Sequence, residues 1–402
     1  MTNPGHDADF PEPTNPCHPS HFARDSRTRD PYPTPVDHPL EPTMDAADPV
    51  DFLTNLPGLL GYYPAESLVL VFGDRYLDDP GPVLVRDLDG GESGAVRMAS
   101  EAMAAEGHER ADAYVITENR GAGPGGWQAI LSGISFDLEE EGFDVIIAAR
   151  TDHLRAGSVV STPDGERLGT LRDPAASWAS GKLHGTGEAI SRDADALRER
   201  FRPEPAACRI AAGEALRRAH DDVRGVRRSG GLPGPEAMAQ VREHHLEWLA
   251  LIDAVDRGDI CVDDALTDAL HLRTLARPLV SLLLRDLTMC EILGSAAETV
   301  RALWLGCGRL FRGSARANAL ACYAIDRHVH GNPAIARAAL DAALETDPDH
   351  SLSQLLFAAM ASGRGHEALR SMLEATTAIL GEVHPDAAVD VEDEDGDGPA
   401  SR

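Results

Sequence analysis

Residues 121–126, GAGPGG, satisfy the G-x-G-x-x-G spacing that lets a backbone approach a dinucleotide pyrophosphate. That chemistry needs the first glycine at the very end of a strand, so that the phosphate meets a helix N-terminus. Here Asn119 and Arg120 intervene, Pro124 stiffens the loop, and Arg150 stands where the next strand should end in an acid. A Gly-rich loop is the better reading. Residues 179–187, ASGKLHGTG, hold a Gly-Lys pair without the upstream glycine or the Ser/Thr of a phosphate loop. GESGA (91–95) misses the nucleophile-elbow pattern by one residue, with no strand directly before it. DEDGDG (393–398) copies the first half of a calcium loop but lacks the later bidentate Glu.

The histidines and cysteines offer little more. His244 and His245 are adjacent, and His328 and His330 are two apart, so the members of each pair fall on different helix faces and read as solvated or capping. His6, His18, His21 and His38 are irregularly spaced on a Pro-rich segment that cannot hold ligands in geometry. Cys17, Cys208, Cys261, Cys290, Cys307 and Cys322 never form C-x-x-C, and four of them sit in apolar helical stretches as small hydrophobes. The arginines from Arg198 to Arg228 alternate with Glu199, Glu204, Glu214, Asp221 and Asp222, the pattern of a salt-bridged, solvated helix. No carboxylate pair acquires acid and base roles from spacing alone. Neither metal nor cofactor is expected, and no catalytic residue is assigned.

Elements able to position a site are easier to read. The 402 residues imply two or three domains, and 43% hydrophobic content supplies ordinary cores. A net charge of −29, from 37 basic against 66 acidic residues, argues against a nucleic-acid binder. Lys182 is the only lysine, as expected of an Arg-rich, high-GC composition. No stretch has the length of a membrane span or a signal core, so a cytoplasmic protein is expected.

Residues 1–47 read as a disordered Pro/His-rich tail, with Met44 as a candidate start. Residues 48–203 alternate strand and helix. Asp48-Pro49 opens a helix through Leu56, and 67–73, 82–88, 112–118 and 143–150 read as strands, with helices at 93–106, 127–141 and 186–200. A hairpin over 157–171 turns at Pro163-Asp164-Gly165. The continuous apolar runs predict an α/β domain with a mixed sheet covered on both faces. Residues 204–234 form an Arg-rich helix and linker, 235–381 an all-α helical-hairpin bundle, and 382–402 a disordered acidic tail. Ser295 and Glu298 have capping-box spacing, and LVSLLL (279–284), apolar all round, is expected mid-bundle. Residues 320–350 are similar to one tetratricopeptide unit at Ala324, Ala336, Leu340, Ala343 and Pro348.

The stretch DPVDFLTNLPGLLGYYPAESLVLV (48–71) resembles the start of the bacterial family called domain of unknown function 4192, through Pro57, Leu59, Leu60, Gly61, Tyr62, Pro64, Ser67, Leu68 and Val69. Asp87 in VRDLD (85–89) is similar to that family's acid at the second strand, and Ser191 and Arg192 match its Ser-Arg helix. The resemblance implies the domain layout and a bacterial, cytoplasmic setting, and no reaction. By itself GYYPAES reads as a structural joint, because it enters a strand while α/β ligand sites favour strand carboxyl ends.

Two expectations follow. The leading one is a non-catalytic interaction or regulatory protein whose helical domain binds a protein partner, with neither nucleic acid nor membrane involved. The other is a small-molecule binder or enzyme using Glu66, Ser67, Asp87, Ser191 and Arg192, in which Arg192 grips an anion and Asp87 orients it or acts as base.

Overall fold

The computed structural model describes residues 45, 47–73, 81–88, 92–105, 107–118, 126–224, 234–361 and 364–384. Both expected tails (apart from a few residues at their inner ends), the four tail histidines, Met44, residues 121–125 of the GAGPGG stretch, residues 74–80 between the first two expected strands and most of the linker lie outside these residues. The first half runs α1 (Pro49–Leu60), β1 (Ser67–Gly73), β2 (Val83–Asp87), α2 (Glu92–Ala105), β3 (Arg110–Ile116), α3 (Trp127–Glu140), β4 (Asp144–Thr151), β5 (Val159–Ser161), β6 (Arg167–Thr170), α4 (Trp178–Gly185) and α5 (Ala194–Glu199).

The Asp48 carboxylate accepts from the Val50 N–H and Pro49 takes the first turn, as the sequence predicts. The helix nevertheless runs past Leu56 and through Pro57. Leu60 prolongs the buried stripe of Phe52, Leu53 and Leu56, and Gly61 closes the end at φ 75°, its N–H donating to the Pro57 carbonyl. Burying Leu60 offsets the backbone bond that Pro57 forfeits.

The sheet has six strands in the order β2-β1-β3-β4-β5-β6, with only β3 and β4 parallel. Alternation sorts β1 between two cores. Leu68, Leu70 and Phe72 pack with Val96, Leu131 and Ile134 of α2 and α3, while Val69 and Val71 pack with α1. The right-handed logic of a parallel crossover places α3 between β3 and β4. Opposite Asp112 the register shifts. The buried Asp112 carboxylate accepts the Ile147 N–H at 3.0 Å, pairs with Arg110 at 2.6 Å, and leaves Ile146 60% exposed.

Of the expected helix over 186–200 only residues 194–199 are helical. Helix α4 stands earlier, in the GKLHG stretch, capped by Ser177, and residues 186–193 run beside the Gly61–Tyr63 turn instead. Asp193 then caps the short α5.

The second half runs α6 (Ile210–Asp222), α7 (Pro235–Asp256), α8 (Val262–Ala265), α9 (Ala269–Val280), α10 (Leu282–Met289), α11 (Ala297–Leu310), α12 (Gly313–Val329), α13 (Pro333–Thr346), α14 (Ser351–Ala361) and α15 (Gly365–Val383). LVSLLL is not one helix. Ser281 is extended (φ −128°, ψ 114°), splitting α9 from α10 and leaving Leu282 56% exposed. The middle of the stack is α12, buried continuously from Ala315 to Arg327. Its alanines let neighbours approach from every side, as where Leu320 fills the space over Gly308. Helix α11 begins at Ala297 behind Ala296 without a side-chain cap, so the Ser295–Glu298 box does not form. His244 and His245 are buried rather than solvated, and His245 Nδ1 lies 2.9 Å from His384 Nε2. The expected Arg-rich helix is α6. Glu214 holds Arg217 and Arg218 outward, while Ala212, Ala215 and Ala219 are buried. No helix among the described residues is long and apolar enough to cross a membrane.

Helices α1 and α4 meet at Gly58. A Cβ there would lie 2.3 Å from Ser180 N and 2.4 Å from the Ala179 carbonyl carbon, both backbone. Gly58→Ala should therefore lower unfolding stability by about 1–3 kcal/mol, even though alanine is the better helix former by about 1 kcal/mol. Guanidinium denaturation checks this. A neutral or stabilised variant would show that the two backbones are not in contact.

Candidate functional site

Glu66, Ser67 and Asp87 share one end of the sheet. Ser67 faces Asp87 across β1 and β2, and the Leu88 N–H donates to the Glu66 carbonyl at 2.9 Å. The Ser67 hydroxyl is buried and donates to the Ala65 carbonyl at 2.8 Å, which commits it to the turn. Glu66 has φ 47°, the left-handed region, where a side chain is strained; among the described residues no other non-glycine does. Two bonds hold it there, from Thr117 Oγ1 at 2.7 Å and the Glu118 N–H at 2.8 Å.

Because β1 is antiparallel to β3, its first residue lies beside the carboxyl ends of β3 and β4, where ligands of α/β sheets commonly bind. The geometric objection to GYYPAES as a ligand cradle therefore falls away. The same end holds Arg150, which donates to the Thr117 carbonyl at 2.7 Å, pairs with Asp152 and stacks over Trp127 at 5.2 Å. His153 Nδ1 stands 3.4 Å from Glu118. Among the described residues no group of three or more His, Cys, Asp and Glu side chains is placed to hold a metal ion.

Ser191 acts through its backbone. Its N–H donates to the Gly61 carbonyl at 2.7 Å and its carbonyl accepts from Tyr63 at 3.2 Å. Arg192, 85% exposed along its side chain, donates to Asp193 at 3.0 Å. Tyr62 lies within electrostatic reach of both Asp87 and Arg198, whose own ion pair is with Asp195. Burial pushes the Tyr62 hydroxyl above its ordinary range, with Arg198 pulling it down and Asp87 pushing it up. Thus Glu66, Ser67 and Asp87 gather at the strand ends, Ser191 pins the turn, and Arg192 faces Asp193.

Tyr62 leads to a feature that sequence reading missed. A cleft of about 1230 Å³ opens between the β2 edge, the end of α1, α4, α5 and α13. Its walls are apolar at Leu59, Val83, Val85, Trp178, Phe201 and Pro333. Arg337 lies 3.6 Å over the Phe357 ring, and Lys182 lies 4.4 Å over the Trp178 ring. At the back, Arg316 is buried and donates to the Phe201 carbonyl at 2.7 Å and Thr346 Oγ1 at 2.8 Å. The cleft's one signal in the sequence is the solitary lysine of the ASGKLHGTG stretch.

A buried ionic network joins residues 186–200 to α11 and α12 beside the cleft. Glu188 accepts from Arg327 and the Tyr323 hydroxyl, each at 3.1 Å, and pairs with Arg200. Asp326 accepts from Arg327 at 2.7 Å and Arg301 at 2.8 Å. Arg301 also donates to the Thr186 carbonyl at 2.9 Å, and Asn332 to the Thr186 hydroxyl at 3.1 Å. On the cleft wall, His330 Nδ1 donates to the Asp326 carbonyl at 2.8 Å and lies 3.3 Å from its carboxylate.

The bond to Asp326 raises the His330 pKa, against the opposing effects of burial and Arg301. Burial alone would raise the Asp326 carboxyl, but His330, Arg327 and Arg301 bring it below its usual value. For His330 the folded pKa exceeds the unfolded one. Its contribution is fully present below about pH 6.5 and is lost as pH rises through the folded value. The stability advantage of the natural protein over His330→Gln should therefore be larger at mildly acidic than at alkaline pH. Denaturant titrations across that range check it, and an advantage that grows with pH would refute the pairing.

A family model described as "Domain of unknown function (DUF4192)" matches residues 49–365, spanning the sheet, the ionic network and most of the helical half. No curated protein and no solved structure matches.

Proposed function

The chain belongs to the DUF4192 family, whose description names no reaction, and we propose that it is a binding protein, with an interaction or regulatory role, whose ligand enters the cleft between the sheet edge and the helical half. The observation that supports this is the cleft itself. At about 1230 Å³ it exceeds the usual range of roughly 300–1000 Å³ for small-molecule sites and suits a polypeptide segment. Its walls combine apolar and aromatic surface with a few charged groups, the composition that gives area and orientation together. The helical half contributes α13 as one wall, which narrows the expected helical partner surface to a specific face. We also take it to act in the bacterial cytoplasm with neither nucleic acid nor membrane as partner, supported by the family resemblance of residues 48–71 and the net charge of −29.

A second reading, a small molecule at the strand ends, is favoured by the strain at Glu66 and its position beside the carboxyl ends of β3 and β4.

Ala334 lines the cleft at the start of α13. Panning the full chain against a displayed random-peptide library should recover peptides whose binding is lost in Ala334→Trp while the melting temperature is unchanged. Peptides that bind Ala334→Trp as well as the natural protein would move the site elsewhere. No peptides, together with a metabolite panel whose thermal shift disappears in Glu66→Ala but not in Ala334→Trp, would replace this reading with the second one.

A further inference from the structure

Resting on the cleft reading, we infer that the occupant is an extended polypeptide segment carrying a carboxylate, that its backbone adds as a strand to the free edge of β2, and that its carboxylate meets Lys182.

β2 ends the strand order, and among the described residues no strand covers its outer side. The Phe72 N–H donates to the Pro82 carbonyl at 3.0 Å and the Leu88 N–H to the Glu66 carbonyl at 2.9 Å. With Leu70 opposite Leu84 and Leu68 opposite Arg86, the even-numbered residues of β2 form the hydrogen-bonded pairs with β1. The N–H and C=O groups of Val83, Val85 and Asp87 therefore point away from the sheet. Sheet edges of this kind pair readily with another chain unless something blunts them.

The cleft is lined by every residue from Gly81 to Val85 in succession. Leu84 packs toward α2 and α3, whereas Val83 and Val85 pack toward α1. A cavity that touches neighbours on opposite sheet faces must run along the strand's edge, where an added strand would lie about 4.8 Å away. Strand addition is an established mode of peptide recognition, in which main-chain bonds give affinity and flanking pockets give sequence preference.

Charge complementarity identifies the acid. Arg198, Arg202 and Arg337 are each paired with a carboxylate three or four residues away: Asp195, Glu199 and Asp341. Arg316 is occupied by carbonyl and hydroxyl oxygens. Among the described residues Lys182 meets only the face of Trp178, and no carboxylate is paired to it. It is also the only lysine among 37 basic residues. A compact ammonium held on an aromatic face suits a single carboxylate without the bidentate geometry that arginine imposes.

The test uses the full chain and the peptides recovered from the displayed library, with binding read by fluorescence anisotropy. Val85→Pro removes an outward N–H and leaves the β1–β2 bonds intact, so it should weaken binding about fivefold or more with little change in melting temperature. Lys182→Ala should weaken it comparably, and Lys182→Arg should restore part of the loss. Should Val85→Pro unfold the protein, N-methylation walked along the peptide replaces it. Loss of affinity at every second position marks a paired strand, and uniform tolerance overturns the inference. Amidating the peptide's C-terminus, against changing its acidic side chains to amides, shows which carboxylate meets Lys182; indifference to both removes the lysine contact. Binding lost in Ala334→Trp but retained in Val85→Pro and Lys182→Ala would leave the cleft reading standing and sink strand addition. Failure to recover any peptide would also sink it, and the cleft reading would then be judged by whether Ala334→Trp cancels a metabolite's thermal shift.

Discussion

Glu188 and Arg327 are both buried, and a buried charge is tolerated only when an opposite charge and the remaining hydrogen-bond partners surround it. Glu188 belongs to the segment that closes the sheet half, and Arg327 to the central helix of the other half. Their pairing, extended by Arg200 on one side and by Asp326 and Arg301 on the other, leaves the two halves little freedom to slide. Losing one member of such a pair typically costs about 3–5 kcal/mol, because the remaining charge stays buried and uncompensated. The cleft is a consequence. With residues 186–191 tied to α12 behind it, α13 stands off from β2 at a set spacing, and the gap is bridged at its base by Thr186, Asn332 and Arg301.

Much of this architecture was legible from residue order. The apolar runs of β1, β3 and β4 and the Asp48-Pro49 start act through contacts a few residues long, so their signals survive in one dimension. LVSLLL misled because composition records how apolar a segment is and not whether it bends. The extended Ser281 breaks it, and the all-round burial fell to α12, whose small alanines look unremarkable in sequence. Likewise the buried His244 and His245 were indistinguishable from surface histidines, because their environment comes from α7 packing on distant chain segments.

The candidate site was less legible, for a geometric reason. Sequence reading ranked the GYYPAES turn by its place at the start of a strand. The deciding fact is strand direction: β1 runs against β3, which carries Glu66 to the ends of β3 and β4. Strand direction depends on pairing, and pairing between segments some forty residues apart leaves no local mark. Ser191 and Arg192 show the converse. They sit next to the right turn, but Ser191 contributes backbone and Arg192 faces its own neighbour Asp193. Proximity in the chain placed the segment without orienting the side chains.

The overall charge constrains what the cleft can admit. A chain carrying −29 repels any acidic partner at distance, yet the cleft holds Lys182, which no carboxylate among the described residues neutralises. These two effects have different ranges. Repulsion from the scattered surface acids is screened beyond about 8 Å at physiological ionic strength, whereas an ion pair in direct contact with the exposed Lys182 lies well inside that length and is screened less. Salt should therefore relieve the long-range penalty before it weakens the local attraction, the opposite of the behaviour of a steered, oppositely charged pair. Selectivity would then arise after encounter, from backbone pairing along β2 and one short-range ionic contact. A segment that cannot extend, or that carries its acid at the wrong spacing from its paired residues, would meet the repulsion without the compensation.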